Sequence, residues 1–153
     1  MAGDIYEGSV TKTTGASAGL IAAIQPAVLS STVRLPELRE IGVANASGVA
    51  MSFGLVLATS TGTTPSGGVT VQNSQGGSGN TQIIPAYATY PTIAGSPVYT
   101  RQWPLQAVGG AGVIWTWLPG EWPLWGGSSN FPFLIYQTSA VADQCTVYVK
   151  VAE

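Results

Sequence analysis

The stretch Ala50–Ser60, AMSFGLVLATS, decides the fold class. Met51, Phe53, Leu55 and Leu57 recur at every second residue, and Ser52, Gly54, Val56 and Ala58 take the places between them. Successive side chains of an extended chain point to opposite faces, so this alternation predicts a core strand with one strongly apolar face. The same period returns elsewhere. It organises Ile5–Thr13 (IYEGSVTKT), and it puts Val113, Trp115 and Trp117 on one face and Ile114, Thr116 and Leu118 on the other. At the end of the chain Cys145, Val147, Val149 and Val151 alternate with Thr146, Tyr148 and Lys150.

Between these runs lie shorter extended candidates: VTVQN from Val69, TQIIPAYATYPTIAG from Thr81, PVYTRQWPL from Pro97 and FPFLIYQTS from Phe131. The run SAGLIAAIQPAVLSS from Ser17 allows a turn or two of helix before Pro26 or a strand ending there, and is read as extended. In VRLPELREIGVANAS, from Val33, the apolar residues Leu35, Leu38, Ile41 and Val43 change register near Pro36. That shift predicts a bulge or bend at a sheet edge. The pairs Gly67-Gly68 and Gly76-Gly77 mark loops, and GGSGN (Gly76–Asn80) reads as a flexible one. About eight short strands with regular turn signals predict an all-β jelly-roll-like sandwich or barrel with little or no helix. Residues 1–15 form an N-terminal arm or edge strand in this reading, and residues 16–153 a single β-sandwich domain.

Composition bounds the function. Only 8% of the 153 residues are charged, against about 25% in an ordinary soluble domain. From Ile41 to Thr100 there is no Asp, Glu, Lys or Arg. Surface charge normally keeps a monomer in solution, so a surface this neutral predicts cover by other subunits or solvation by hydroxyls and amides. The net charge of −2 offers no basic patch for phosphates, which argues against nucleic acid as a partner. No membrane span is expected, because the most apolar early run is short and broken by Pro26. The first ten residues lack the pattern of a signal peptide, so synthesis in the cytoplasm is expected.

The chemistry expected of an enzyme is hard to assemble. There is no histidine, which removes the commonest general base and metal ligand. Cys145 is the one cysteine and sits on the apolar side of an alternating run, so it reads as a small core residue. The carboxylates Asp4, Glu7, Glu37, Glu40, Glu121, Asp143 and Glu153 are scattered. Glu37 and Glu40 would point to opposite faces of a strand unless a bulge intervened, which leaves no glycosidase pair. No cluster has metal-ligand spacing, and no cofactor is expected. GGSGN lacks the lysine and helix of a phosphate-binding loop. The expectation is a protein that is not an enzyme.

The aromatic residues are the remaining candidates. Trp115 and Trp117 lie on a strand face and read as core. Trp122 and Trp125 lie in LPGEWPLWGGSSNF (Leu118–Phe131), stiffened by Pro119 and Pro123. They have three possible roles: packing over the end of the sandwich, contacting another subunit, or forming a ligand platform. Tyr87, Tyr90 and Tyr99 are further candidates for a sugar platform. Ile5, Tyr6 and Val10 give the N-terminal segment an apolar side that either adds to a neighbour's sheet edge or pairs within its own sheet. Ile5, Tyr6, Val10, Trp122 and Trp125 are therefore the candidate subunit-interface residues.

The second half of the chain also resembles a known pattern. Trp117–Glu121, the strand Phe131–Thr138 and the valine-rich run Val147–Glu153, together with RLPELREIGVANAS from Arg34, are similar to the capsid decoration (cement) proteins of tailed bacteriophages. The likeness covers most of the chain after Leu35, and Trp122 and Trp125 exceed the family's usual pattern. It implies a virion structural protein on the capsid exterior. Such a protein is a homotrimer of jelly-roll subunits that bridges major capsid protein subunits and stabilises the head. A tail- or fibre-associated subunit, and a carbohydrate-binding or host-attachment module, stand as the alternatives.

Overall fold

The computed structural model describes residues 4–17, 19–26, 36–93, 101–118, 121, 131–139 and 141–153. Their strands are β1 (Ile5–Thr13), β2 (Gly19–Pro26), β3 (Glu37–Asn45), β4 (Met51–Leu57), β5 (Thr63–Ser66) and β6 (Val69–Gln72). They continue with β7 (Ser78–Ile84), β8 (Ala86–Thr89), β9 (Arg101–Leu105), β10 (Gly112–Thr116), β11 (Phe133–Gln137) and β12 (Gln144–Ala152). The all-β expectation is met in its barrel form, with twelve strands in place of about eight. Ten of them make one sheet in the order β10-β3-β12-β1-β6-β7-β2-β11-β4-β9, and β5 pairs with β8 in a separate ribbon. All pairings are antiparallel. The two outer strands, β9 and β10, come close to each other without a hydrogen-bonded ladder, so the sheet is a nearly closed barrel.

The inside of the curl is the main core. Phe53 and Leu55 of β4, Ile135 of β11, Ile83 of β7, and Val147, Val149 and Val151 of β12 are all buried there. Two bulges aim further residues at it. β3 gains an extra residue, Arg39, between Leu38 (opposite Val151) and Glu40 (opposite Lys150). Leu38 and Ile41 therefore both face inward although three apart. This is the register change visible in the sequence, but β3 lies between β10 and β12 and is no edge. In β2 the extra residue is Ile21, between Leu20 (opposite Tyr136) and Ala22 (opposite Ile135), and both Ile21 and Ala22 join the core.

A second, smaller core lies on the outer face of β2, β4, β7 and β11. Ala23, Val56, Ala58, Ile84, Leu134 and Tyr87 of β8 pack there. The alternation of Met51–Ala58 is thus buried on both sides along most of its length, and Leu57, expected inside, is 42% exposed. Tyr87 donates its hydroxyl to Gln25 Oε1 at 2.9 Å and anchors the β5–β8 ribbon over this face.

The N- and C-terminal strands form the longest ladder, nine residue pairs from Ile5 opposite Ala152 to Thr13 opposite Gln144. β1 has β12 on one side and β6 on the other, so it is an inner strand of the barrel and neither a free arm nor an edge. On its β6 side the pairing narrows to Glu7 with Gln72. Here Gly8 lets the strands close up, since a Cβ would meet Ile83 Cδ1 at 3.1 Å and Val71 Cγ1 at 3.3 Å. Opposite, β7 carries extra residues between Ser78 and Gln82. The N–H groups of Asn80 and Thr81 in this irregular stretch donate to the Glu153 carboxylate at 2.6 and 2.8 Å. Gly79 clears the space, for a Cβ would lie 2.8 Å from Val71 Cγ2 and 3.0 Å from Tyr6 Cδ1. GGSGN is therefore not wholly a loop: Ser78–Asn80 opens β7, held by a carboxylate distant in sequence.

Phe53→Ala opens a cavity at a side chain that is 1% exposed, and should lower the unfolding free energy by about 3–5 kcal/mol. Leu57→Ala removes a 42% exposed side chain from the same strand and should cost clearly less. Equilibrium urea unfolding of the two variants checks this contrast.

Candidate functional site

Three tryptophans close and fill the barrel. Trp103 of β9 packs on Phe53 with ring centroids 5.1 Å apart and on Trp115 of β10 at 5.9 Å. The Arg101 guanidinium lies 4.8 Å from the Trp115 ring centroid, a cation–π distance. Side chains thus join β9 and β10 where backbone ladders do not. Trp117 is buried and Trp115 half-buried against the core. Trp122 and Trp125, the sequence-based interface candidates, lie outside the described residues, as does Tyr99.

The other three candidates sit on β1. Tyr6 and Val10 face the core and are half-buried. Ile5 is 44% exposed and remains open to a neighbour. Segment 5–13 takes the intramolecular pairing that its alternation left possible.

An apolar surface that the sequence reading did not single out lies on the outer face of β3, β10 and β12. Gly42 and Ala44 of β3 form the floor of a trough of about 380 Å³ between Ile114 and Tyr148. Gly42 has no side chain to fill it: a Cβ there would touch both Ile114 and Tyr148 at 3.4 Å. Ile114 is 65% exposed and Leu118, just past β10, is 66% exposed. Both were legible only as the outward half of an alternating strand. What hid them is that an isolated strand does not reveal which of its faces is inside.

The carboxylates serve the fold. The bulge in β3 sets Glu37 and Arg39 in an ion pair at 2.6 Å. Glu40 accepts from the Thr116 hydroxyl at 3.0 Å, and Glu7 pairs with Lys150 at 3.0 Å. Asp143 is buried at the start of β12, and its Oδ1 accepts from the Gln144 N–H at 2.6 Å. Among the described residues no three of His, Cys, Asp and Glu converge as metal ligands would. Cys145 is fully buried, and burial, helped by the Asp143 charge, pushes its thiol up to about 11. The protonated thiol so favoured is a poor nucleophile. No family model, curated protein or solved structure matches the chain.

Burial also pushes the Tyr87 hydroxyl up to about 12 from 10.0, as it raises Cys145 from 9.0. Both groups fold in their neutral form with raised pKa. Their contribution is complete below the unfolded values and is lost as pH rises through the folded ones. Thermal unfolding followed by circular dichroism should therefore show the melting temperature falling between pH 9.0 and about 12. Cys145→Ala should make the early part of that fall shallower. A flat profile across this window would contradict the burial account.

Proposed function

We propose that this chain is a structural subunit of a tailed-bacteriophage virion, a decoration protein on the capsid exterior that assembles as a homotrimer and bridges major capsid protein subunits. The observation that carries the reading is the exposed apolar face made by Ile114 on β10, Leu118 beyond it, and the trough toward Tyr148. Exposed apolar side chains grouped on one face mark a surface made to be covered. Leu118 also leads directly into the tryptophan-rich sequence that carries Trp122 and Trp125.

The low charge of the chain supports the same reading. A subunit fixed in a symmetric shell does not depend on surface charge to stay dispersed, and symmetry multiplies modest contacts. The similarity of Trp117–Glu121, Phe131–Thr138 and Val147–Glu153 to the cement-protein pattern supplies the particular family. The mechanism is mechanical: apolar surface buried across capsomer joints raises the cost of separating them. A tail-associated subunit uses the same surface at a different place on the particle.

The test is rebinding to phage heads depleted of the protein. Wild type should run as a trimer by light scattering and co-sediment with the heads. Ile114→Asp combined with Leu118→Asp should weaken co-sedimentation by about tenfold or more, since a desolvated apolar anchor is worth 2 kcal/mol or so. The variant's circular dichroism should be unchanged, because both side chains are largely exposed. Density on the tail and none on the shell would replace the decoration reading with the tail-associated one.

A further inference from the structure

One end of the barrel holds a cavity of about 590 Å³, within the range of small-ligand sites. The end of β1, the start of β2, the end of β11 and the segment that follows β8 enclose it. Lys12 enters from β1. Its Nζ donates to the carbonyls of Leu20 at 2.8 Å and Pro85 at 2.6 Å, and lies 5.6 Å from the Tyr90 ring centroid. An ammonium has three N–H donors, so these two carbonyls leave one unspoken for. No carboxylate of the described residues pairs with it. Burial lowers its pKa, the mark of a cation removed from water without a full counter-charge.

The opposite wall is held by a buried amide. Gln137 is 1% exposed and commits its Nε2 to the carbonyls of Ser139 and Val141. That fixes the amide's orientation and leaves Oε1 buried with no donor. Oε1 is sealed from the cavity as it is from solvent, so Gln137 shapes this wall and offers a guest no acceptor. Tyr90, 48% exposed, and Tyr136 supply aromatic surface to the same cavity.

These features select a ligand chemistry. One ammonium matches one carboxylate, whereas a phosphate dianion would want several charged donors or an arginine fork, and Lys12 is the one cation among the described residues that line the cavity. A free amino acid would bring its own ammonium toward Lys12. Tyrosine rings suit a flat C–H face such as a pyranose presents. We propose that the cavity binds a pyranose carrying one carboxylate, a uronic acid, with the carboxylate on Lys12 and the sugar's apolar face on Tyr90. The proposal is independent of the virion reading, and either can fail alone.

Isothermal titration of the full chain tests it, with sodium glucuronate as the free sugar acid, trigalacturonate as the polymer end and glucose as the neutral control. Glucuronate should bind with a Kd in the millimolar range, as expected of a monosaccharide held by a few polar contacts. Glucose should bind about tenfold more weakly or worse, the cost of losing one charge-assisted hydrogen bond. Lys12→Gln, which keeps a donor and removes the charge, should weaken glucuronate by a similar factor. Tyr90→Ala, at an exposed side chain, should weaken it without altering the fold. Trigalacturonate binding as well as glucuronate identifies the end of an acidic polysaccharide as the guest, and binding of glucuronate alone identifies the free acid. The proposal is overturned if neither acid binds saturably up to about 50 mM, or if glucose binds equally well. Unchanged affinity in the two variants would overturn it too.

Discussion

The Glu153 carboxylate on the N–H groups of Asn80 and Thr81 is the contact on which the rest of this barrel depends. The ten-stranded sheet has two blocks, β10-β3-β12 and β6-β7-β2-β11-β4-β9, and β1 is the only strand between them. Its ladder to β12 is long, but its ladder to β6 is short. The joint is completed by a charge-assisted hydrogen bond from the far end of β12 and by the close approach that Gly8 and Gly79 allow. Hydrogen bonds to a carboxylate are about twice as strong as neutral ones, which suits a place where few backbone bonds cross. A chain with so few charges uses this one where the sheet is weakest.

The opposite seam, between β9 and β10, is closed by different means. Trp103, Trp115, Phe53 and Arg101 interlock there, so large rings supply contact area where no ladder forms. Trp103, Trp115 and Trp117 thus close and fill the barrel. Among the described residues β10 has no ladder on this side, and its outer face is apolar, the surface proposed for assembly. The cavity beside Lys12 lies at the end of the barrel and draws on neither the seam nor that face.

Much of the architecture was legible in the sequence. The period-two pattern of Met51–Ala58 and of Cys145–Val151 marks real strands, and Ile5–Thr13 matches β1 residue for residue. The strands that escaped notice were those without an apolar face. β5, TTPS, is exposed throughout, and its pairing with β8 depends on Tyr87 covering a core that belongs to other strands. The start of β7 looked like a glycine loop because its partner, Glu153, is 73 residues away. Leu57 was expected inside and is not, since alternation tells which residues share a face but not where the core ends along a strand. The interface residues proposed on β1 show the same limit. The spacing grouped Tyr6 and Val10 correctly, but only the register with β12 shows that they face inward. Of the Lys12 cavity only Tyr90 had a sequence signal, as a candidate sugar platform. The cavity's walls come from four separate segments, and Lys12 reads as an ordinary polar residue of an alternating strand until β11 and the Tyr90 segment are placed around it.

Hydrogen exchange of wild type and Glu153→Gln, read peptide by peptide, tests the central claim about the joint. Amides of β12 and β3 should keep their protection in the variant, because their ladders to each other and to β1 and β10 do not involve Glu153. Amides of β6 and of residues 79–82 in β7 should exchange markedly faster, as this block loosens from β1. A uniform rise over all strands, or no change in β6 and β7, would contradict the view that this carboxylate holds the two blocks of the sheet together.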